Sequence, residues 1–62
     1  MENTRFWLGE LISGQIAIEA EDEKYAEYTT ICSKDDLYSV MGIIRRRLLP
    51  DVRPQFEIYV AE

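Results

Sequence analysis

Cys32 is the chain's one cysteine, and histidine is absent. In a chain of 62 residues this removes the two usual staples of small folds. Neither an intrachain disulfide nor a zinc site of nitrogen and sulfur ligands can be built. A chain this short buries only about 60% of the surface its unfolded state exposes. Stability must then come from side-chain packing or from a partner subunit. The 47% apolar content supports either route, and one domain over residues 1–62 is expected.

Residues 5–21 read as a β-hairpin. Ser13-Gly14 is a candidate two-residue turn between runs rich in Ile, Leu, Phe and Trp. That turn pairs Ile12 with Gln15, Leu11 with Ile16, Gly9 with Ile18 and Trp7 with Ala20. Paired residues share a face, so Trp7, Gly9, Leu11, Ile16, Ile18 and Ala20 form an uncharged inner face. The outer face then carries Phe6, Leu8, Glu10, Ile12, Gln15, Ala17, Glu19 and Glu21. A helical reading of residues 5–16 is weakened by Gly9 and Gly14.

Residues 34–49 read as an amphipathic helix. Leu37, Val40, Met41, Ile44 and Leu48 recur on one stripe. Ser33 is the capping candidate, with Asp36 three residues on. Asp35 and Asp36 at the amino end, and Arg45, Arg46 and Arg47 at the carboxyl end, suit the helix dipole. Pro50 stops the helix, Pro54 keeps the following linker extended, and Gln55–Ala61 alternates as a half-buried strand with Phe56, Ile58 and Val60 inward. Residues 24–32 carry both signals: Tyr, Thr and Ile favour a strand, whereas Glu19–Glu27 favours a helix. Taking the strand gives the order β-β-β-α-β. The expected fold is α+β, a small and mostly antiparallel sheet with one helix packed on one face.

The charge is unevenly spread. Residues 1–36 hold nine carboxylates against three bases, and residues 37–62 hold three against four. One helix cannot cover both faces of a sheet, so the outer hairpin face is expected to present Phe6, Leu8 and Ile12 beside Glu10, Glu19 and Glu21. An apolar patch rimmed by charge often marks an interface. Together with Asp22 and Glu23 of the acidic segment, these eight residues are the expected partner-binding set. The acids either solvate a turn or complement a basic cleft, in the sharper form by imitating nucleic-acid phosphates.

Catalysis is not expected. There is no histidine base, no glycine-rich phosphate loop and no cysteine pair. No catalytic residue, metal ligand or cofactor is assigned. Cys32 reads as an inert thiol. The arginine triplet splits around the helix and offers no single basic face, and with a pI near 4.6 nucleic-acid binding is not favoured. No apolar run is long enough to span a bilayer and no secretion signal is visible, so a cytoplasmic location is expected. In size, acidity and lack of catalytic groups the chain is similar to small phage- or plasmid-encoded proteins that block host enzymes, a likeness of kind. The functional expectation is a small acidic binding module, an inhibitor or accessory factor that docks on a larger protein. The alternative is a homodimeric structural or assembly subunit.

Overall fold

A computed structural model describes residues 1–60. Strands β1 (Glu2–Glu10) and β2 (Ile16–Ala20) form the hairpin. A 3₁₀ segment, Glu23–Tyr28, leads into the short strand β3 (Thr30–Cys32). Helix α1 (Leu37–Leu48) follows, and β4 (Val52–Ile58) closes the order. The sheet runs β3-β2-β1-β4. Two of its three pairings are antiparallel, and β4 lies parallel to β1. This is the expected α+β architecture.

Residues 24–32 satisfy both of their sequence signals in turn. Asp22 starts the 3₁₀ segment by accepting a hydrogen bond from Lys24 N–H at 3.0 Å. The segment is kinked at Tyr25, whose φ of −112° is not helical. Beyond Thr29 the β-branched residues extend into β3.

The helix starts at Leu37, the first residue of the stripe, rather than at residue 34. Ser33, the expected cap, accepts from Asp36 N–H through its Oγ at 3.2 Å, but this closes a turn over residues 34–36, and the residue that precedes α1 as its cap is Asp36, whose side chain makes no capping bond. Met41, Ile44 and Leu48 are buried, with Leu37 and Val40 packed at the edge of the core.

The last strand begins earlier than expected. It includes Pro54, which is buried on the core face. Tyr59 N–H donates to the Leu8 carbonyl at 2.8 Å, so the odd-numbered amides of β4 point at β1. Pro54 then stands where an amide would face the open edge, the position at which a strand tolerates proline. Val60 lies beyond the strand and is exposed, and Ala61 is outside the described residues.

The hairpin register differs from the expected one by a single residue. Phe6 pairs with Ala20, Trp7 with Glu19, Leu8 with Ile18 and Gly9 with Ala17. The loop has three residues, Ile12, Ser13 and Gly14. Gly14 N–H bonds to the Leu11 carbonyl at 2.9 Å, and Leu11 N–H bonds to the Gln15 carbonyl at 2.8 Å. A two-residue loop at Ser13-Gly14 would place Ser13 at positive φ. The three-residue loop needs that conformation only of Gly14, whose φ is +89°, where a missing Cβ removes the steric penalty.

The slip turns β1 over relative to β2. Phe6 and Ile18 are both 0% exposed and anchor the core with Tyr25, Ile44 and Leu48. Phe6 stacks on Phe56 with centroids 5.5 Å apart and meets Tyr28 edge-on at 6.4 Å. Trp7, Gly9 and Leu11, expected inward, point to the opposite side. Ile16, Ile18 and Ala20 keep their expected face.

Candidate functional site

Helix α1 and the 3₁₀ segment both pack on the face of Phe6 and Ile18. The other face, that of Trp7 and Glu19, is crossed by no element among the described residues. The expected outer set is therefore redistributed. Phe6 is the centre of the core, and Leu8 is half-buried against it. Neither can serve as a surface anchor, a correction that follows from the one-residue register shift. Glu10 moves to the helix side, where Lys34 Nζ lies 3.2 Å from its carboxylate. Ile12 projects from the hairpin tip at 110% relative exposure, away from the sheet face. Glu19 and Glu21 remain on the uncovered face. Asp22 and Glu23 sit at the start of the 3₁₀ segment, exposed to solvent.

The residues that occupy the uncovered face form ordered rows. The pairing aligns Ile31, Ala17 and Gly9 across β3, β2 and β1, and continues to Tyr59 just past the end of β4. The next row is Glu19, Trp7 and Glu57. Trp7, Gly9, Ala17, Glu19 and Tyr59 line an open cleft of about 530 Å³. Gly9 and Ala17 make its floor, because small side chains on neighbouring strands leave a depression in the sheet surface. Trp7 and Tyr59 make an angled wall, their rings 6.2 Å apart and inclined at 85°, the edge-to-face arrangement that aromatic quadrupoles prefer. Ile31 extends the apolar row at 56% exposure.

Trp7 is held in place by polar contacts on its other side. Its indole N–H donates to Glu21 Oε2 at 2.9 Å. The Arg5 guanidinium lies 5.2 Å from the ring centroid and 3.5 Å from both Glu21 and Glu57. Its Nε faces Glu57 without hydrogen-bond alignment, so the contact is chiefly electrostatic. These exposed pairs contribute little stability each, but together they fix the orientation of the ring. Glu19 has no ion-pair partner among the described residues.

A second polar cluster lies on the helix side at the amino end of β1. Tyr25 Oη donates to Glu2 Oε2 at 2.9 Å, and Lys24 Nζ sits 3.4 Å from the same carboxylate. The hydrogen bond and negative charge of Glu2 push the Lys24 pKa up. Burial, then the bond to Glu2, pushes the Tyr25 hydroxyl up. Burial also raises the Cys32 thiol, aided by the Asp36 charge. The shift disfavours the Cys32 thiolate, although the residue is close to the start of the helix.

The arginine triplet does not gather. Arg45 lies over the Phe56 ring at 5.1 Å and Arg46 folds back towards Gly42. No helix among the described residues is long and apolar enough to cross a membrane.

The cleft was not legible from the expected register, which put Trp7 and Gly9 inside. The signal that could have revealed it is the turn itself: a serine before the glycine disfavours the two-residue loop, and the three-residue alternative brings Trp7, Gly9, Ala17 and Glu19 to one face. The chain matches no known protein-family model, no curated protein and no solved structure at a significant level.

Proposed function

We propose that the protein is a small acidic binding module that docks on a larger protein through the uncovered face of its sheet. One observation carries this reading: the continuous row Ile31, Ala17, Gly9 and Tyr59, with Trp7 beside it, on a face that no other element among the described residues covers. Tryptophan and tyrosine are the residues most enriched at the energetic centres of interfaces. Glu19, Glu21 and Glu57 border the row, so the surface suits a partner that is apolar at its centre and basic at its edge. The net charge of −5 adds long-range attraction to such a partner. An inhibitor or accessory role, with the carboxylates occupying a basic cleft, is the form of docking that this distribution fits.

The test is a comparison of three immobilised proteins: the native chain, a face variant with Trp7→Ser and Ile31→Ser, and Ile12→Ser as a control on the exposed loop. The reading expects a partner retained by the native chain and by Ile12→Ser, released by raised salt, and lost from the face variant. Equal retention on all three, with the face variant folded, sets it aside.

A second reading, the homodimer, is supported by the open edge of β4 and by the exposed Ile12, Ile58 and Val60 at the hairpin end of the sheet. Unpaired strand edges are natural sites of self-association. Sedimentation at low micromolar concentration decides it, since a strict monomer removes this alternative and leaves the docking face as proposed.

A further inference from the structure

We infer that the Trp7–Tyr59 cleft receives an arginine side chain of the partner, its guanidinium against the Trp7 ring and its N–H groups on Glu19. This rests on the docking reading above and states what the partner must present.

The charges around the ring point to a cation. Glu19 and Glu57 flank Trp7 on the neighbouring strands, and Glu21 bonds to its indole. Arg5 touches Glu21 and Glu57 and is the one guanidinium among them. Glu19, on the wall of the cleft, pairs with no cation among the described residues. An apolar group in the cleft would strip water from this carboxylate without replacing it, which is costly. An anion would be repelled by all three acids. A cation satisfies Glu19 and is attracted to the electron-rich face of the tryptophan at the same time.

The shape favours arginine within that class. The cleft floor is open, since a Cβ built on Gly9 would meet nothing within 4 Å. The two rings meet at 85°, so a flat group can lie on one ring while its edge points along the other. A guanidinium is planar and carries its donors in that plane, so it can stack and reach a carboxylate together, whereas an ammonium is a compact point charge. The molecule already contains the same arrangement once. Arg5 lies over Trp7 from the Glu21 side, with a carboxylate at 3.5 Å. Arg5 and Gly9 stand two residues to either side of Trp7, so the cleft offers on the Gly9 side what Arg5 uses on its own.

The test uses three capped tripeptides, glycine-X-glycine with X as arginine, lysine or norleucine, titrated into the ¹⁵N-labelled full chain. The chain has one tryptophan, so the indole N–H signal reports Trp7 without ambiguity. The arginine peptide should give saturable shifts at the Trp7 indole and at the Gly9 and Ala17 amides, with lysine weaker and norleucine silent. Glu19→Gln should weaken arginine binding about threefold, the scale of one exposed ion pair. Gly9→Val fills the floor and should remove binding while the spectrum remains that of a folded protein. An equal response to norleucine, indifference to Glu19→Gln, or no shift with arginine overturns the inference. If arginine fails while a captured partner is still lost from the Trp7 and Ile31 variant, the cation site falls and docking stands. If arginine binds while capture ignores that variant, the docking reading falls and the cation site stands.

Discussion

Exchanging Phe6 or Trp7 for alanine separates the two possible faces of β1 in one experiment. Phe6 is fully buried, stacked on Phe56 and edge-on to Tyr28. Truncating such a side chain removes its transfer free energy and leaves a cavity, a loss of about 3–5 kcal/mol. A domain of this size has a total stability of only about 3–9 kcal/mol, at roughly 0.05–0.15 kcal/mol per residue. Phe6→Ala is therefore expected to lose at least about a third of that stability, and all of it at the low end of the range. Trp7 is the larger residue but the smaller contributor. It supplies one exposed hydrogen bond to Glu21, an edge contact with Tyr59 and a contact with Arg5. Their loss amounts to about 1–2 kcal/mol. With a urea slope of about 1 kcal/mol/M, the unfolding midpoint should fall by about 1–2 M and the fold should survive. Far-ultraviolet circular dichroism is the assay, because replacing Trp7 removes the chain's one tryptophan fluorophore. A hairpin with the two-residue loop would exchange the outcomes. Trp7→Ala unfolded and Phe6→Ala folded would refute the register, and with it the cleft. Small and equal losses would refute the burial argument instead.

Three further perturbations test other parts of the structure. Thr4 is buried and its Oγ1 finds no hydrogen-bond partner among the described residues, so Thr4→Val should stabilise the fold by about 1 kcal/mol, seen as a higher urea midpoint. A lower midpoint would show that the hydroxyl is satisfied. Gly14→Ala forces a side chain into the left-handed region and should cost about 1–2 kcal/mol, with Gly14→Asn less damaging in the same titration; equal midpoints would contradict the three-residue loop. The pKa values of Cys32, Tyr25 and Lys24 are all raised in the folded protein, from ordinary values of 9.0, 10.0 and 10.5. The folded state holds these protons more tightly than the unfolded chain, so their contribution is complete below the ordinary values and is lost as pH rises above them through the raised folded values. The urea midpoint should fall between about pH 8 and about pH 11, and a flat profile would sink this assignment.

The candidate site was half legible beforehand. Alternation with Ile16, Ile18 and Ala20 on β2 puts Glu19 and Glu21 on the outer face, and that alternation holds whatever β1 does. The β1 half was inverted, because strand alternation fixes which residues share a face without saying which face is inside. Phe6-Trp7-Leu8 is apolar on both parities, so hydrophobicity could not break the tie. Glu10 was misplaced by the same inversion, and its pairing with Lys34 depends on β3 and α1 lying beside the hairpin. Tyr59 reached the cleft only because β4 runs parallel to β1, a pairing between residues far apart in the chain.

Short-range patterns in the sequence determined the elements themselves. Period-two and period-3.6 apolar spacing specified strands and helix, and Pro50 and Gly14 marked ends, because these signals act through local backbone sterics and hydrogen bonds. What tertiary packing decided was orientation: which face of β1 met α1, which edge β4 joined, and where a lone carboxylate would meet two aromatic rings. Those outcomes follow from burying Phe6, Ile18, Ile44 and Leu48 together, a condition on the whole chain that no local window contains.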